Sequence, residues 1–253
     1  MNQRNDIITH YVSLLRKILD SSQSYWTDWD NEVKIICNAS EGDKKIGFIL
    51  DALYLLEDTQ LAKENYLRFD LTGPTKYNDF GEMYLRMYGI YNACYLQKQA
   101  ILTLLENIIS KTTSSEINNK IQNLEIFQFR DIFASHTTNY DYREKKHSFI
   151  LSRHDLKSGR IMGYSSNKND GIDFKDGILS SQIEKWDCEA TKLLHTICEK
   201  IIVKYNQHFT DSSDKEPWDI IFNRIQKLDK GESQFAGDIF DINSIEFNFV
   251  SRI

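Results

Sequence analysis

The sequence predicts a mainly α-helical protein that carries a small β-hairpin insertion. Only 2 prolines and 11 glycines occur in 253 residues, which is too few for the dense turns of a sandwich or barrel of short strands. Several long segments instead repeat apolar residues at intervals of three and four, the period of an amphipathic helix. The hydrophobic content of 41% is that of a globular chain with enough length to bury a core.

The first two predicted helices span residues 6–20 and 45–62. In the first, apolar side chains such as Ile8, Tyr11 and Leu15 fall on one face. After the second, Gly73 and Pro74 stop the pattern, because proline disfavours helical backbone in the residue before it and glycine loses more conformational entropy than other residues. A loop is therefore expected at 70–78.

The longest periodic segment covers residues 80–110 and predicts a central helix that is buried on several sides. Its polar residues Asn92, Gln99 and Glu106 are seven apart and share one face. That face is either the solvated side of the helix or a side that meets a dimer partner or a cleft.

The predicted β insertion lies near residues 147–164. Two short segments rich in β-branched and aromatic residues flank a turn at 155–159. Before it, a Ser-, Thr- and Asn-rich break at 110–120 is followed by residues 117–133. After it, residues 166–176 have the composition of a polar loop.

A second long helix is predicted at 178–205, and a short one begins after Pro217. The absence of internal repeats and of long low-complexity segments indicates one helical domain, 1–210, with the hairpin inside it. Residues 211–253 are predicted to form a C-terminal helix and an acidic tail that pack on the same domain.

Composition limits the classes of function. The net charge of −6 gives no overall attraction to nucleic acid, so a site for a polyanion has to be a local patch. The four cysteines form no CxxC pair and have no histidine at zinc-finger spacing, which predicts reduced core thiols, no metal and no cofactor. No membrane span and no signal peptide is recognisable, so a cytoplasmic protein is expected.

Arg130 and His136 combine two chemistries that RNA cleavage without metal requires. An arginine fork can bind a phosphate through two hydrogen bonds, and an imidazole titrates near neutral pH and can move the proton of a ribose hydroxyl. Asp131 could orient either group. Spacing alone carries little weight, because chance gives roughly 0.7 such pairs in a chain with 6 histidines, and Arg4 and His10 repeat the separation.

Apart from catalysis, Arg130 could be a helix-terminal arginine and His136 a capping residue. The phrase YGIYNACYLQKQAI, followed about 30 residues later by FRDIFASHTTN, resembles the HEPN superfamily, mainly over residues 80–140. The resemblance implies a HEPN-like helical bundle that dimerises, and a metal-independent endoribonuclease whose catalytic pair is Arg130 and His136, with Asp131 as the polar residue after the arginine. A homodimer would bring two copies of the motif into one cleft.

Two positions depart from the family pattern. In one toxin branch, a tyrosine that the antitoxin modifies lies two residues after the histidine, whereas here Tyr140 lies four residues after it. Many relatives have a proline directly after the histidine, where this chain has Thr137. The resemblance implies a toxin or phage-defence effector, with a possible regulatory or antitoxin protein as partner. The alternative is a non-catalytic HEPN module that binds RNA or a protein and dimerises.

A basic segment beside the motif is consistent with an RNA site. Residues 130–168 hold eight basic and four acidic residues within an acidic chain. The candidate RNA-binding residues are Arg143, Lys145, Lys146 and His147. The same charges would equally suit a solvated edge strand that avoids pairing with other chains.

Overall fold

The computed structural model describes residues 3–21, 37, 45–74, 79–135, 140–142, 145–147, 149–167, 171–208, 217–236, 238–241 and 245–248. The described chain is mainly helical with a small antiparallel sheet, which confirms the predicted fold class of a helical protein with a β insertion. The helices are α1 Gln3–Ser21, α2 Lys45–Phe69, α3 Phe80–Ile108, α4 Lys111–Ile121, α5 Glu125–Phe129, α6 Arg153–Leu156, α7 Leu179–His208 and α8 Trp218–Asp229, with a π-helical turn at Arg130–Ser135.

The strands in the described part of the chain form three separate antiparallel sheets. They are β1 Tyr140–Tyr142, β2 Lys145–His147, β3 Ile150–Leu151, β4 Arg160–Asn167, β5 Gly171–Ile178, β6 Ser233–Ala236 and β7 Ile245–Asn248. Strand β1 pairs with β2, β6 pairs with β7, and the third sheet has the order β3-β4-β5. The hairpin predicted near 147–164 is the β3–β4 pair, and α6 occupies its connection.

One prediction between the long helices was wrong. The predicted break at 110–120 is helix α4, because the Ser110 hydroxyl accepts a hydrogen bond of 3.1 Å from the Thr113 amide and caps its first turn. The buried Ser114 hydroxyl also donates to the Leu102 carbonyl at 3.0 Å. Residues 122–124 form a turn that separates α4 from α5.

The polar loop predicted at 166–176 was also wrong at both ends, because strand β4 continues to Asn167 and strand β5 begins at Gly171. Strand β5 pairs with β4 over eight residues, from Arg160 opposite Ile178 to Asn167 opposite Gly171. The insertion is therefore a three-stranded sheet and not a single hairpin.

The chain divides into two compact units. The first combines Asp58–Gln99 with Glu116–Glu189, and the second combines Asn2–Glu57, Ala100–Ser115 and Ala190–Ile253. The domain boundary proposed at residue 210 stays a prediction.

The second unit packs α1, α7 and α8 around an aromatic cluster. Tyr11 is fully buried, and its hydroxyl lies 3.1 Å from Nδ1 of His195. The His195 ring stacks on Phe222 with a centroid distance of 4.9 Å. The Cys198 thiol donates to the Tyr11 carbonyl at 3.7 Å, so polar contacts join α1 and α7, and ring stacking adds α8. None of the helices in the described ranges is long and apolar enough to span a membrane.

Candidate functional site

The motif segment of the first unit is fixed by aromatic packing. Phe127 meets Trp186 edge-to-face at 5.0 Å, and Phe129 meets Phe133 at 5.5 Å between ring centroids. All four rings are buried. Between these anchors the backbone leaves the α-helical pattern for one π-helical turn that begins at Arg130. Turns of this kind are rare in helices and often occur at functional sites.

Two glycines let the β-sheet approach this segment closely. A Cβ atom at Gly163 of β4 would lie 2.3 Å from Cε1 of Phe133. One at Gly177 of β5 would lie 2.4 Å from Nε2 of Gln182 and 3.2 Å from Cζ of Phe129. A side chain at Gly163 would force the buried Phe133 ring to shift, whereas at Gly177 it would first displace the ends of the flexible Gln182 and Glu125 side chains. One face of the sheet therefore supports the turn that carries Arg130.

The Arg130 guanidinium is largely buried and is held by two contacts. Its side chain is 18% exposed, and Nη1 donates to Oδ1 of Asp131 at 2.8 Å. Its Cζ lies 4.0 Å from the centroid of the Tyr95 ring, a cation–π contact. The Nε atom is buried and makes no hydrogen bond to any residue that the structure describes. The guanidinium therefore retains donor capacity in a fixed orientation.

Lys98 brings a second cation to the same ring. Its Nζ lies 5.0 Å from the centroid of Tyr95 and 4.8 Å from that of Phe127. Burial lowers the pKa of this ammonium, the Asp131 carboxylate opposes the shift, and Arg130 adds to it. Two largely buried cations thus lie beside one carboxylate, that of Asp131, whose side chain is 42% exposed. Such an arrangement favours an anionic group as a further ligand.

The structure brings together two of the three predicted catalytic residues, Arg130 and Asp131, which are adjacent in the chain. His136 lies outside the described residues, directly after the π-helical turn. Sequence reasoning missed Tyr95 and Lys98. The sequence did contain a sign of this contact, because Lys98 follows Tyr95 by three residues within the most apolar segment of the chain. Burial of an unpaired cation there would cost free energy, so a partner for Lys98 could have been expected.

Of the predicted RNA-binding residues, Arg143 also lies outside the described residues. Lys145, Lys146 and His147 form strand β2, of which the backbone alone is described, and His147 pairs with Tyr140 of β1. Their contact with RNA stays a prediction.

The predicted basic segment is partly neutralised by β5. The Arg160 Nε atom donates to Oδ1 of Asp176 at 2.7 Å, and Nη2 donates to the other carboxylate oxygen. The Lys157 ammonium lies 5.4 Å from the centroid of the Phe80 ring. Since Asp176 follows residue 168, the charge count over 130–168 did not include this counter-ion.

A second polar cluster in the first unit is fully enclosed. The Lys63 ammonium donates to Oε1 of Gln60 at 3.3 Å, to Oε1 of Gln97 at 3.1 Å and to the Asp187 carboxylate. The Lys63 and Asp187 side chains are both 0% exposed. Trp186 donates from Nε1 to Oε1 of Gln97 at 2.7 Å. This cluster joins α2, α3 and α7 but presents no surface to a substrate.

The histidine and cysteine residues considered next are not part of the Arg130 site. The His10 ring is half-buried and lies 6.3 Å from that of Phe240, as expected for a residue that flanks the buried side of α1. Burial raises the pKa of the Cys94 thiol to about 12 and that of Cys37 to about 11, so neither is a thiolate nucleophile near neutral pH. Across the described ranges, no three His, Cys, Asp or Glu residues form a group that could hold a metal ion.

Comparison of the chain with protein-family models, with curated proteins and with solved structures found no match. An account of its function therefore depends on the residues of the chain.

Proposed function

We propose that the protein is a metal-independent endoribonuclease of the HEPN type. The observation that carries the proposal is the cation–aromatic arrangement at the start of the predicted motif. Arg130 stacks on Tyr95 at 4.0 Å beside Lys98, and its orientation is fixed by Asp131. The π-helical turn begins at Arg130 and ends at Ser135, one residue before His136. The departure from α-helical backbone therefore covers the same residues as the predicted motif.

The reaction is attack of a ribose 2′-oxygen on the adjacent phosphorus. A 2′,3′-cyclic phosphate forms, the bond from phosphorus to the 5′-oxygen breaks, and that oxygen takes up a proton. Arg130 binds the phosphate and stabilises the negative charge that grows in the transition state. His136 removes the proton of the 2′-hydroxyl, and the same histidine from a second copy of the motif in a homodimer protonates the leaving oxygen.

Lys98 and Asp131 have supporting roles in this proposal. Lys98 adds a second positive charge from a site where water is largely excluded, so its effect on a bound phosphate is stronger than that of a surface lysine. Asp131 holds the guanidinium through one of its five donors and leaves the others for the substrate. A cytoplasmic toxin or phage-defence effector, restrained by a regulatory protein, is the biological role that the HEPN resemblance favours.

The test is cleavage of a mixed pool of single-stranded and structured RNA in the presence of EDTA. We expect products with cyclic phosphate ends from the wild type, and a loss of at least about 100-fold in Arg130→Ala and His136→Ala. Arg130→Lys keeps the positive charge but loses the paired N–H donors of the guanidinium, so cleavage by this variant should remain impaired. Arg160→Ala and His10→Ala are matched controls at sites away from the motif and should cleave normally.

Two further measurements separate this proposal from its alternative. If two histidines act as acid and base, the rate has a bell-shaped pH dependence around neutrality. Cleavage that EDTA abolishes, or that both motif variants retain, contradicts the mechanism. No cleavage by a folded dimer identifies the chain as a non-catalytic module for binding RNA or protein.

A further inference from the structure

Helices α2 and α3 share a face that exposes large apolar side chains. Leu61 of α2 is 64% exposed, and Leu85 and Leu96 of α3 are 68% and 42% exposed. A groove of about 230 Å³ runs between the two helices, and Ala62 and Gly89 are among the residues that line it. Exposed apolar side chains that are grouped in this way mark a binding surface, whereas scattered single residues would not.

Helical spacing places the α3 residues of this face on one side of the helix. Leu85, Gly89, Asn92 and Leu96 follow one another at intervals of four, three and four, so their side chains project in similar directions. An added Cβ at Gly89 would meet no atom within 4 Å. The middle of the α3 row is therefore open, and a second helix could approach it closely.

Two hydrogen bonds show how α2 and α3 are aligned. Nη2 of Arg86 donates to Oδ1 of Asn65 at 2.9 Å, and Nε2 of Gln97 donates to Oε1 of Gln60 at 2.9 Å. Residue numbers therefore fall along α2 as they rise along α3, so the two helices are antiparallel. The low-numbered end of α2 in this face lies beside the high-numbered end of α3.

The two ends of the face carry opposite charges. Asp58 and Arg68 are both exposed and lie ten positions apart on α2, a distance of about 15 Å along the helix. By the antiparallel alignment, Leu96 lies near the level of Asp58, and Leu85 lies near the level of Arg68. Each end therefore combines one charged residue of α2 with one exposed leucine of α3.

We infer that a second copy of the chain docks on this face, related by a two-fold axis that lies in the interface and crosses both helices near Gly89. The axis turns the face end over end, so Asp58 meets Arg68 of the partner subunit, and the same pair forms again at the other end. On α3, Leu85 meets Leu96 of the partner subunit. Every contact in a two-fold interface occurs twice in this way.

The order of residues on α3 suits the same axis. Positions 89 and 92 are centred on the same point of the helix as positions 85 and 96. Asn92 therefore meets Gly89 of the partner subunit, where the absence of a side chain leaves room for it. The Nδ2 atom of Asn92 donates to the Tyr88 carbonyl at 3.0 Å, so this amide has a partner within its own helix as well.

The charges select a second copy over an unrelated protein. Because Asp58 and Arg68 lie at opposite ends, the face is complementary to itself when it is turned end over end. Arg86, beside the groove, pairs with Glu82 at 3.6 Å, so these two residues cancel each other and leave the pattern unchanged. A partner of uniform charge would be attracted to one end and repelled from the other. The inference does not rest on the proposed nuclease activity, because no residue of the face belongs to the motif.

Analytical ultracentrifugation of the full-length protein tests the interface by charge reversal. The wild type should sediment as a dimer. Asp58→Lys and Arg68→Glu should each weaken self-association by at least about tenfold, because like charges then face each other twice. An equimolar mixture of the two variants should recover the dimer, since the lysine introduced in one chain faces the glutamate introduced in the other. The double variant Asp58→Lys/Arg68→Glu should recover it for the same reason.

A third substitution tests the apolar contact. Leu85→Asp should also dissociate the dimer, because it places a charge opposite a leucine. Ile220→Asp on α8 is the matched control, since Ile220 is 47% exposed and lies outside the face, and it should leave the dimer intact. Circular dichroism checks the fold of each variant, which should persist because positions 58, 68 and 85 are exposed.

Other outcomes overturn the inference. A monomeric wild type excludes a second copy as the occupant of the face. A dimer that persists in both charge variants and in Leu85→Asp uses another surface. If the mixture of charge variants stays monomeric, the two-fold axis near Gly89 is wrong. Because the readout is molecular mass, a failure to cleave RNA would contradict the nuclease proposal and leave this inference standing.

Discussion

Replacement of Lys63 by methionine should destabilise the protein severely, although the two side chains are similar in length. The substitution removes an ammonium that is 0% exposed and leaves the equally buried Asp187 carboxylate without it. Removing one partner of a buried ion pair costs about 3–5 kcal/mol, because the desolvation of the remaining charge is no longer compensated. We expect Lys63→Met to lose about that much free energy of unfolding.

The loss should arise at Asp187 and not at the two glutamines. Gln97 still accepts from Trp186 at 2.7 Å, and Gln60 still accepts from Gln97 at 2.9 Å after the ammonium has gone. The double variant Lys63→Met/Asp187→Asn removes both charges. It should therefore recover at least about 2 kcal/mol of the loss.

Urea denaturation followed by circular dichroism measures these differences. Lys185→Met is the matched control, since Lys185 lies on the same helix as Asp187 but is 62% exposed and pairs with Glu125 at 3.3 Å. A surface pair of this kind contributes about 0–1 kcal/mol. If Lys63→Met costs no more than Lys185→Met, or if the double variant is less stable than Lys63→Met, the argument from buried charge is refuted.

Further predictions concern the β-sheet and one helical glycine. Gly163→Ala should lower the free energy of unfolding by about 1–3 kcal/mol in urea denaturation, because the added Cβ would lie 2.3 Å from Phe133. Gly89→Ala should raise the free energy of unfolding by about 0.5–1 kcal/mol, since no atom lies within 4 Å of its added Cβ and alanine favours the helix. Equal effects of the two substitutions would contradict the close packing at Gly163. Hydrogen bonding to Arg160 lowers the pKa of Asp176. The ion pair therefore stabilises the folded state at any pH above the ordinary aspartate pKa. This contribution is lost as the pH falls through the lowered pKa of Asp176 and the carboxylate becomes protonated. Arg160→Gln should return this pKa toward its ordinary value in an NMR titration, and an unchanged pKa would show that the pair does not form in solution.

The long helices were predictable from the sequence because each buries a stripe of apolar residues with helical period. Helix α4 was not, since the segment is rich in residues that favour turns and caps. Its first turn depends on the Ser110 cap, and its burial depends on the contact of Ser114 with Leu102. A polar segment of this kind becomes helical through contacts that its composition does not reveal.

Strand β5 was missed for a different reason. Ile172, Phe174 and Ile178 alternate with smaller or polar residues, as in a half-buried strand, but the exposed side is the apolar one. Alternation predicts a strand most clearly when the apolar face is the buried face. Here Gly163 and Gly177 occupy the inner face because the sheet lies so close to α5 and the π-helical turn.

The candidate site was only partly predictable. Arg130 and Asp131 are neighbours in sequence, so their contact could be anticipated, but Tyr95 and Lys98 reach them only through the packing of α3 against the motif segment. Lys63 and Asp187 lie 124 positions apart, and charged residues are normally assigned to the surface. A buried pair of this separation becomes visible only in the fold.

The β insertion supports the segment of the proposed site in a way that single variants can test. On its inner face, Gly163 supports Phe133, which belongs to the same turn as Arg130, so a larger side chain there should impair cleavage and stability together. On its outer face, Phe174 is 64% exposed and lies outside that packing, so Phe174→Ala should leave stability nearly unchanged. Because the two positions lie on adjacent strands of one sheet, a general disturbance of the insertion would destabilise both variants. A loss of stability and cleavage in the Gly163 variant alone would therefore show that the inner face of the sheet holds the turn that carries Arg130.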